Sequence, residues 1–195
     1  MTGNRVPKRR TKMFKIETER LLLRPLTQND WEDTFEHRAD IENSKYIFDM
    51  TEEEIRKVFD ERIQPWSQEE NKWLSLGVEL KGNKKLIGEV GFRYLDKKNA
   101  LGEFGYRFNR NYHRKGYATE ASIALVDKLF KELKIHKLVA ICDAENIPSY
   151  KIMEKLGMTK EAHYKEHSWR RGKWCDEFVY SLINNVHKNL KISNK

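Results

Sequence analysis

Two cysteines, Cys142 and Cys175, are all that this 195-residue chain contains, and they form no CxxC pair. So few thiols exclude a disulfide framework and a cysteine-based structural zinc site, and they fit a reducing cytosol. Long hydrophobic runs are missing too: no stretch approaches the roughly 18 apolar residues of a membrane span. The opening MTGNRVPKRRTKM is basic but lacks the apolar core of a signal peptide, so the expectation is a cytoplasmic protein with no membrane partner. No internal repeat and no low-complexity linker interrupts the chain. Acidic residues are absent from both ends. Arg5, Lys8, Arg9, Arg10 and Lys12 stand alone in residues 1–14, and Lys188, Lys191 and Lys195 in 184–195. These eight account for the whole excess of 38 Lys and Arg over 30 Asp and Glu, so the net charge of +8 belongs to the ends and the segment between is neutral. That distribution speaks for solvated termini and against a specific nucleic-acid partner, leaving a salt-sensitive attraction to RNA or ribosomes as the residual reading.

Hydrophobic residues make up 38% and aromatics 11%, enough for one domain with a core. The organisation expected is a basic tail over 1–14, one folded domain over 15–183 and a second basic tail over 184–195. KIETERLLLRPL (15–26) reads as one strand closed by Pro25. Thr27 to Asp30 has the S/T-x-x-D form of a helix start, and Thr51 to Glu54 repeats it ahead of Ile55, Val58, Phe59 and Ile63. WLSLGVEL (73–80), KLIGEVGFRYL (85–95) and ALGEFGYRFN (100–109) alternate as strands, with a hairpin turn between the last two. Ala121, Leu125, Leu129 and Leu133 recur at spacing four in a helix over 116–133. HKLVAICD (136–143) reads as a buried strand, 146–156 as a helix stopped by Gly157, and 159–169 and 176–183 as two further strands. The order β α α β β β α β α β β implies a mixed α/β sheet in a single domain.

RNYHRKGYATEA (110–121) then carries chemistry. It follows a strand and opens a helix, and helix N-termini present unpaired N–H groups that bind phosphate. Gly116 and Ala118 keep side chains clear of the amides of 114–119, while Arg114 and Lys115 add charge. About thirty residues on, NIPSYKIMEKLGM (146–158) opens the next helix directly after a strand.

Together these two segments resemble the acetyl-CoA-binding core of the GNAT N-acetyltransferases. The first is similar to that family's pyrophosphate loop, Q/R-x-x-G-x-G/A, with Gly116 and Ala118 in the small positions and His113 in place of Gln or Arg. The second is similar to its N-x-x-S…EKLGF helix. ETERLLLRPL (17–26) and GEFGY (102–106) resemble the branch that acetylates protein N-termini and related amines, the RimJ/RimL type. The resemblance spans about residues 15–183. It implies a mostly antiparallel twisted sheet of about seven strands flanked by about four helices, with acetyl-CoA as cosubstrate and no metal. It further implies that the fourth and fifth strands part, so that the pantetheine arm meets backbone near Tyr106 to Phe108, the diphosphate lies on Arg114, Lys115, Gly116, Tyr117, Ala118 and Thr119, and Asn146 and Ser149 face the thioester. Asn146 suits a helix N-cap equally well.

The reaction so implied needs a base to take a proton from an ammonium before attack on the thioester. Glu103 on the fourth strand suits that role, directly or through water, and equally suits an ion-paired strand carboxylate. Glu120 reads as a first-turn acid supporting the helix dipole, and an amide near Phe108 as an oxyanion donor. Met153 stands where many members carry the tyrosine that protonates the thiolate; Tyr150 lies in another direction, leaving Ser149 as the available hydroxyl. His163 to His167 match H-x-x-E-H, a zinc-protease signature that requires a helix, whereas this segment reads as a strand. The function expected is acetyl transfer to a primary amine, with a protein N-terminus or ribosomal protein favoured as acceptor, by a monomer or homodimer. A polyamine or aminoglycoside acetyltransferase is the alternative, the acidic run Asp49, Glu52, Glu53, Glu54, Asp60 and Glu61 being a possible attraction for a polycation or simply a solvated helix face. An RNA- or ribosome-associated binding protein with a vestigial acyl-CoA site is the alternative of another class.

Overall fold

Alternating apolar residues build a sheet that divides the molecule into two layers of helix. The computed structural model describes residues 14–184, and the rest of the two basic ends lies outside the described residues. In chain order the strands are β1 (Ile16–Glu17), β2 (Leu21–Pro25), β3 (Leu74–Leu80), β4 (Leu86–Asp96), β5 (Leu101–Phe108), β6 (Lys137–Asp143), β7 (Thr159–Arg170) and β8 (Lys173–Ile183). The helices are α1 (Trp31–Ala39), α2 (Glu52–Arg62), α3 (Tyr117–Glu132) and α4 (Ile147–Lys155). One eight-stranded sheet runs β1-β2-β3-β4-β5-β6-β8-β7, antiparallel throughout except for β5 and β6. The mixed α/β architecture and four helices match the sequence expectation, and β1 is the additional short strand.

Segment 15–26 is two strands rather than one. Leu21 N–H donates to the Thr18 hydroxyl and Thr18 N–H to the Leu21 carbonyl, which folds the chain back between Ile16 and Leu23. The cause lies 102 positions away, where Glu120 accepts from Thr18 Oγ1 at 2.5 Å and Arg20 Nε at 2.7 Å. Phe14 and Asn184, assigned to the tails from sequence, are both buried. Phe14 packs edge-on against Trp66 at 5.4 Å, and Asn184 donates to the Ile135 carbonyl.

Both helix-start motifs act as capping boxes: Asp30 accepts from Thr27 N–H at 2.7 Å, and Glu54 from Thr51 N–H at 2.8 Å. Ala121, Leu125 and Leu129 on α3 are fully buried against Val90, Phe92 and Phe104 of the central strands, and burial of each leucine contributes on the order of 1.5–3 kcal/mol. With α4, α3 covers this face. α1 and α2 cover the other, where Glu89, Gly91 and Arg93 of β4 stand opposite Arg107, Gly105 and Glu103 of β5. Among the described residues no helix is long and apolar enough to cross a membrane.

Candidate active site

The parallel pairing of β5 with β6 covers only Leu101↔Lys137, Gly102↔Leu138 and Glu103↔Val139. Beyond Glu103 the strands part: β5 stays bonded to β4 as far as Phe108, and β6 to β8 as far as Asp143. A wedge opens in the middle of the sheet. Asn109 N–H donates to the Ile87 carbonyl on β4 at 2.9 Å. Because backbone groups alternate sides along a strand, the N–H groups of Tyr106 and Phe108 point the other way, into the wedge. A hydrogen-bonding chain such as a pantetheine arm fits that edge.

The loop after β5 closes one end of the wedge. Asn109 caps a 3-10 turn over Arg110–Tyr112, His113 folds back so that its Nε2 meets the Phe108 carbonyl at 3.0 Å, and Arg114 and Gly116 take left-handed φ of 61° and 82°. The first helical bond of α3 runs from Glu120 N–H to the Gly116 carbonyl. None of the six N–H groups from Arg114 to Thr119 donates to an acceptor among the described residues. Successive free amides curving into a helix N-terminus form an anion cradle, and its donor set suits a diphosphate. Gly116 leaves its floor bare. The cradle is tied to the β1–β2 turn, since Arg20 donates to the Lys115 carbonyl at 2.9 Å, pairs with Glu120 at 2.6 Å and lies over the Tyr117 ring at 4.5 Å. Glu120 is thus a tether rather than a free dipole acid. Burial alone would raise its pKa, but bonds from Thr18 and from the Arg20 backbone and side chain reverse this and hold it below the ordinary value. Of the two cations assigned to the loop, Lys115 bonds the Asn111 carbonyl at 3.2 Å, while Arg114 is exposed.

At the start of α4, Asn146 Oδ1 accepts from Ser149 N–H at 3.2 Å, which is the N-cap. The Tyr106 hydroxyl reaches across the wedge to donate to the Ser149 carbonyl at 2.7 Å and lies 3.0 Å from Ser149 Oγ. A carbonyl can only accept, so the phenol proton is committed there and the serine hydroxyl donates to the phenol oxygen. Burial holds the Tyr106 phenol far above its usual range, only partly offset by Ser149, so it stays protonated. Cys142 on β6 joins this cluster; burial pushes its thiol up to about 11, which keeps it a thiol. Sequence reasoning names Tyr106 for its backbone and misses its side chain, because only the fold brings it to α4.

Met153 is buried in the core. Tyr150 stacks on Tyr180 at 6.4 Å and meets Phe178 edge-on, away from the serine. Glu103 faces the opposite side of the sheet from Tyr106, since their separation along β5 is odd. Its Oε2 accepts from Arg93 Nε at 2.8 Å, leaving Oε1 without a partner among the described residues. Trp73 lies beside this pair, close over Gly91 and Gly105, and the Arg93 and Arg62 guanidiniums stand 5.0 and 5.6 Å from its ring. The H-x-x-E-H segment is part of strand β7, and His163 Nε2 meets Asp176 at 2.6 Å, an arrangement without the helical face a zincin needs.

Comparison with known proteins joins this geometry to a family. A model of the acetyltransferase (GNAT) domain matches residues 20–159. YnaD of Bacillus subtilis (strain 168), an uncharacterized N-acetyltransferase, is 35% identical over 170 residues, 86% of this chain and 96% of its own. The crystal structure of a GNAT-family acetyltransferase from Bacillus anthracis aligns with a TM-score of 0.77 at 34% identity, covering 88% of this chain and 99% of that one. A Vibrio cholerae protein provisionally described as a ribosomal-protein-serine acetyltransferase aligns with a TM-score of 0.73 at 26% identity, covering 87% and 97%. The chain belongs to the GNAT family and is an acetyl-CoA-dependent N-acetyltransferase.

Proposed function

We propose that the enzyme transfers acetyl to the α-amine of an acceptor of the protein N-terminal kind, in the manner of the RimJ/RimL branch. The observation that carries the acetyl-transfer part of this reading is the wedge between β5 and β6, with free amides along one edge and a six-amide cradle at its end. The description of the Vibrio cholerae relative points the same way for the acceptor.

Acetyl-CoA supplies an activated acyl group as a thioester. The Tyr106 and Phe108 amides hold the arm along β5, and Phe108 N–H also suits a carbonyl oxygen that gains negative charge during attack. Residues 114–119 bind the diphosphate. On the other face, Glu103 Oε1 takes a proton from the incoming ammonium, directly or through water, while Arg93 fixes the carboxylate in place. The amine nitrogen bonds to the acyl carbon, the C–S bond breaks with its electron pair leaving on sulfur, and the second proton lost from nitrogen passes through water to the thiolate, giving the amide and a free thiol. Ser149 donates to that sulfur in place of the phenol, and Tyr106 holds Ser149 in position.

The test is release of free thiol from acetyl-CoA across peptide N-termini, polyamines and aminoglycosides. Preference for a peptide α-amine is expected. A polyamine or aminoglycoside as the best acceptor overturns the acceptor class, and acetyl-CoA binding without turnover of any amine supports the vestigial binding protein instead.

A further inference from the structure

The face of the sheet beneath α1 and α2 holds more positive charge than it can neutralise. Glu89 of β4 is buried, and both of its oxygens are used. Arg38 grips them bidentately at 2.9 and 2.8 Å, and His37 Nε2 lies 3.2 Å from Oε1. Two more guanidiniums crowd the same carboxylate. Arg62, at the end of α2, reaches Glu89 Oε2 only at 3.5 Å and Ser75 Oγ at 3.1 Å. Arg107, whose Cα stands opposite that of Glu89 in the β4–β5 register, bonds Ser44 Oγ at 2.6 Å. Its Nε is buried with no hydrogen-bond partner among the described residues. Glu89 therefore pairs closely with Arg38 and only loosely with Arg62, and Arg107 has no acid within ion-pairing distance among the described residues. The strain is electrostatic. Burial and the neighbouring arginines push both guanidiniums down to about 10, far below where arginine normally titrates.

An arginine half-buried without a counter-ion is costly, and its planar fork suits the paired oxygens of a carboxylate or phosphate. The position matters as much as the charge. Arg107, Gly105 and Glu103 lie on one face of β5, at successive steps of two residues or ~6.6 Å, so the arginine cluster adjoins the place where the acceptor amine must approach the wedge.

We propose that Arg62 and Arg107 form an anion subsite for the acceptor, so that the preferred amine carries a carboxylate or phosphate a few bonds from its nitrogen. This rests on the acetyl-transfer part of the reading above and selects the acceptor by charge rather than by size: an N-terminus with an acidic side chain, a free amino acid or an amino-alkyl phosphate fits, whereas spermidine does not. Arg38 and His37 hold Glu89 and are positioning residues.

Two measurements on the full-length protein test it. Thermal shift with inorganic phosphate and with malonate, at constant ionic strength against chloride, reads the subsite without turnover. Stabilisation is expected in the parent, retained in Arg107→Lys, and lost in Arg107→Gln and in Arg62→Gln; two glutamine variants guard against one failing to fold. Absence of any anion-specific shift in the folded parent overturns the subsite. Thiol release is then compared for matched acceptors: an Asp-second against an Asn-second peptide, glycine against glycinamide, phosphoethanolamine against ethanolamine, with spermidine alongside. The anionic member of at least one pair is expected to have a kcat/KM at least tenfold higher, and the glutamine variants to bring that pair near parity with acetyl-CoA affinity unchanged by calorimetry. The winning pair identifies whether the anion comes from a peptide side chain, an amino acid or a phosphate. Equal use of both members of every pair, or spermidine as the best acceptor, overturns the proposal even if phosphate binds. An enzyme that shows the anion shift but acetylates nothing refutes the transfer reading and with it the acceptor role, while the subsite stands on the thermal shift.

Discussion

Met153 is a buried thioether, and on the mechanism proposed above the hydroxyls available to assist the departing thiolate are Ser149 and Tyr106, which meet across the wedge. A serine hydroxyl is too weak an acid for full proton transfer and helps by hydrogen bonding to developing charge. Ser149→Ala is therefore expected to lower kcat by about 10- to 1,000-fold with little change in acetyl-CoA affinity, a span from weak hydrogen-bond assistance to a typical acid–base contribution. Tyr106→Phe removes the bond that anchors the Ser149 carbonyl, so kcat should fall in the same direction, by on the order of 10-fold. Tyr150→Phe should change little, because that ring packs on Tyr180 and Phe178. Steady-state kinetics with calorimetry on the three variants decides it; an unimpaired Ser149→Ala beside a crippled Tyr150→Phe reverses the roles.

At the scale of the element, the cradle depends on how α3 begins. A left-handed Gly116 lets the chain turn into α3 with six successive amides unbonded among the described residues, and an added Cβ would sit 3.3 Å from the movable end of Arg20. The space is adequate, so the obstacle to other residues is backbone conformation, roughly 1–2 kcal/mol for an ordinary side chain and less for asparagine. Gly116→Asn should keep a melting temperature close to the parent and still bind acetyl-CoA. Gly116→Glu sets bulk and a negative charge against the diphosphate and should weaken acetyl-CoA binding more than tenfold in calorimetry, along with the thermal stabilisation that ligand confers. Binding by Gly116→Glu as tight as the parent's would falsify the cradle.

For the whole molecule, the core reaches back to Phe14, the first of the described residues. Its ring is buried against Trp66 in the main core, so Phe14→Ala should cost about 3–5 kcal/mol, the usual range for a buried phenylalanine. Deleting residues 1–13 removes five cations and no acid. It is expected to leave acetyl transfer to a small amine largely intact while weakening retention on a polyanion, most visibly at low salt. Denaturant melts read the Phe14→Ala cost and calorimetry with acetyl-CoA reads the deletion: loss of acetyl-CoA binding there would make the basic segment part of the active fold.

The sequence by itself determined what short-range physics governs. Apolar alternation set β3 to β7 to within a residue at each end, though it missed the first three residues of β8; both S/T-x-x-D/E boxes capped the helices they precede, and spacing four put Ala121, Leu125 and Leu129 in the core. Two loop-to-helix motifs about thirty residues apart were enough to indicate the family. What only the tertiary structure decided are meetings between distant residues, which depend on strand register and on where β5 and β6 part. The break in segment 15–26 is caused by Glu120, some hundred positions on. Tyr106 reaches Ser149 across an open wedge. Glu103 has an arginine partner in Arg93, whereas Arg62 shares Glu89 with Arg38 and Arg107 has no ion pair among the described residues, because α1, α2 and β5 bring three arginines to the face that carries this one carboxylate. Local propensity carries no record of such encounters: a charge reads the same in sequence whether folding leaves it in water or buries it beside two others of its own sign.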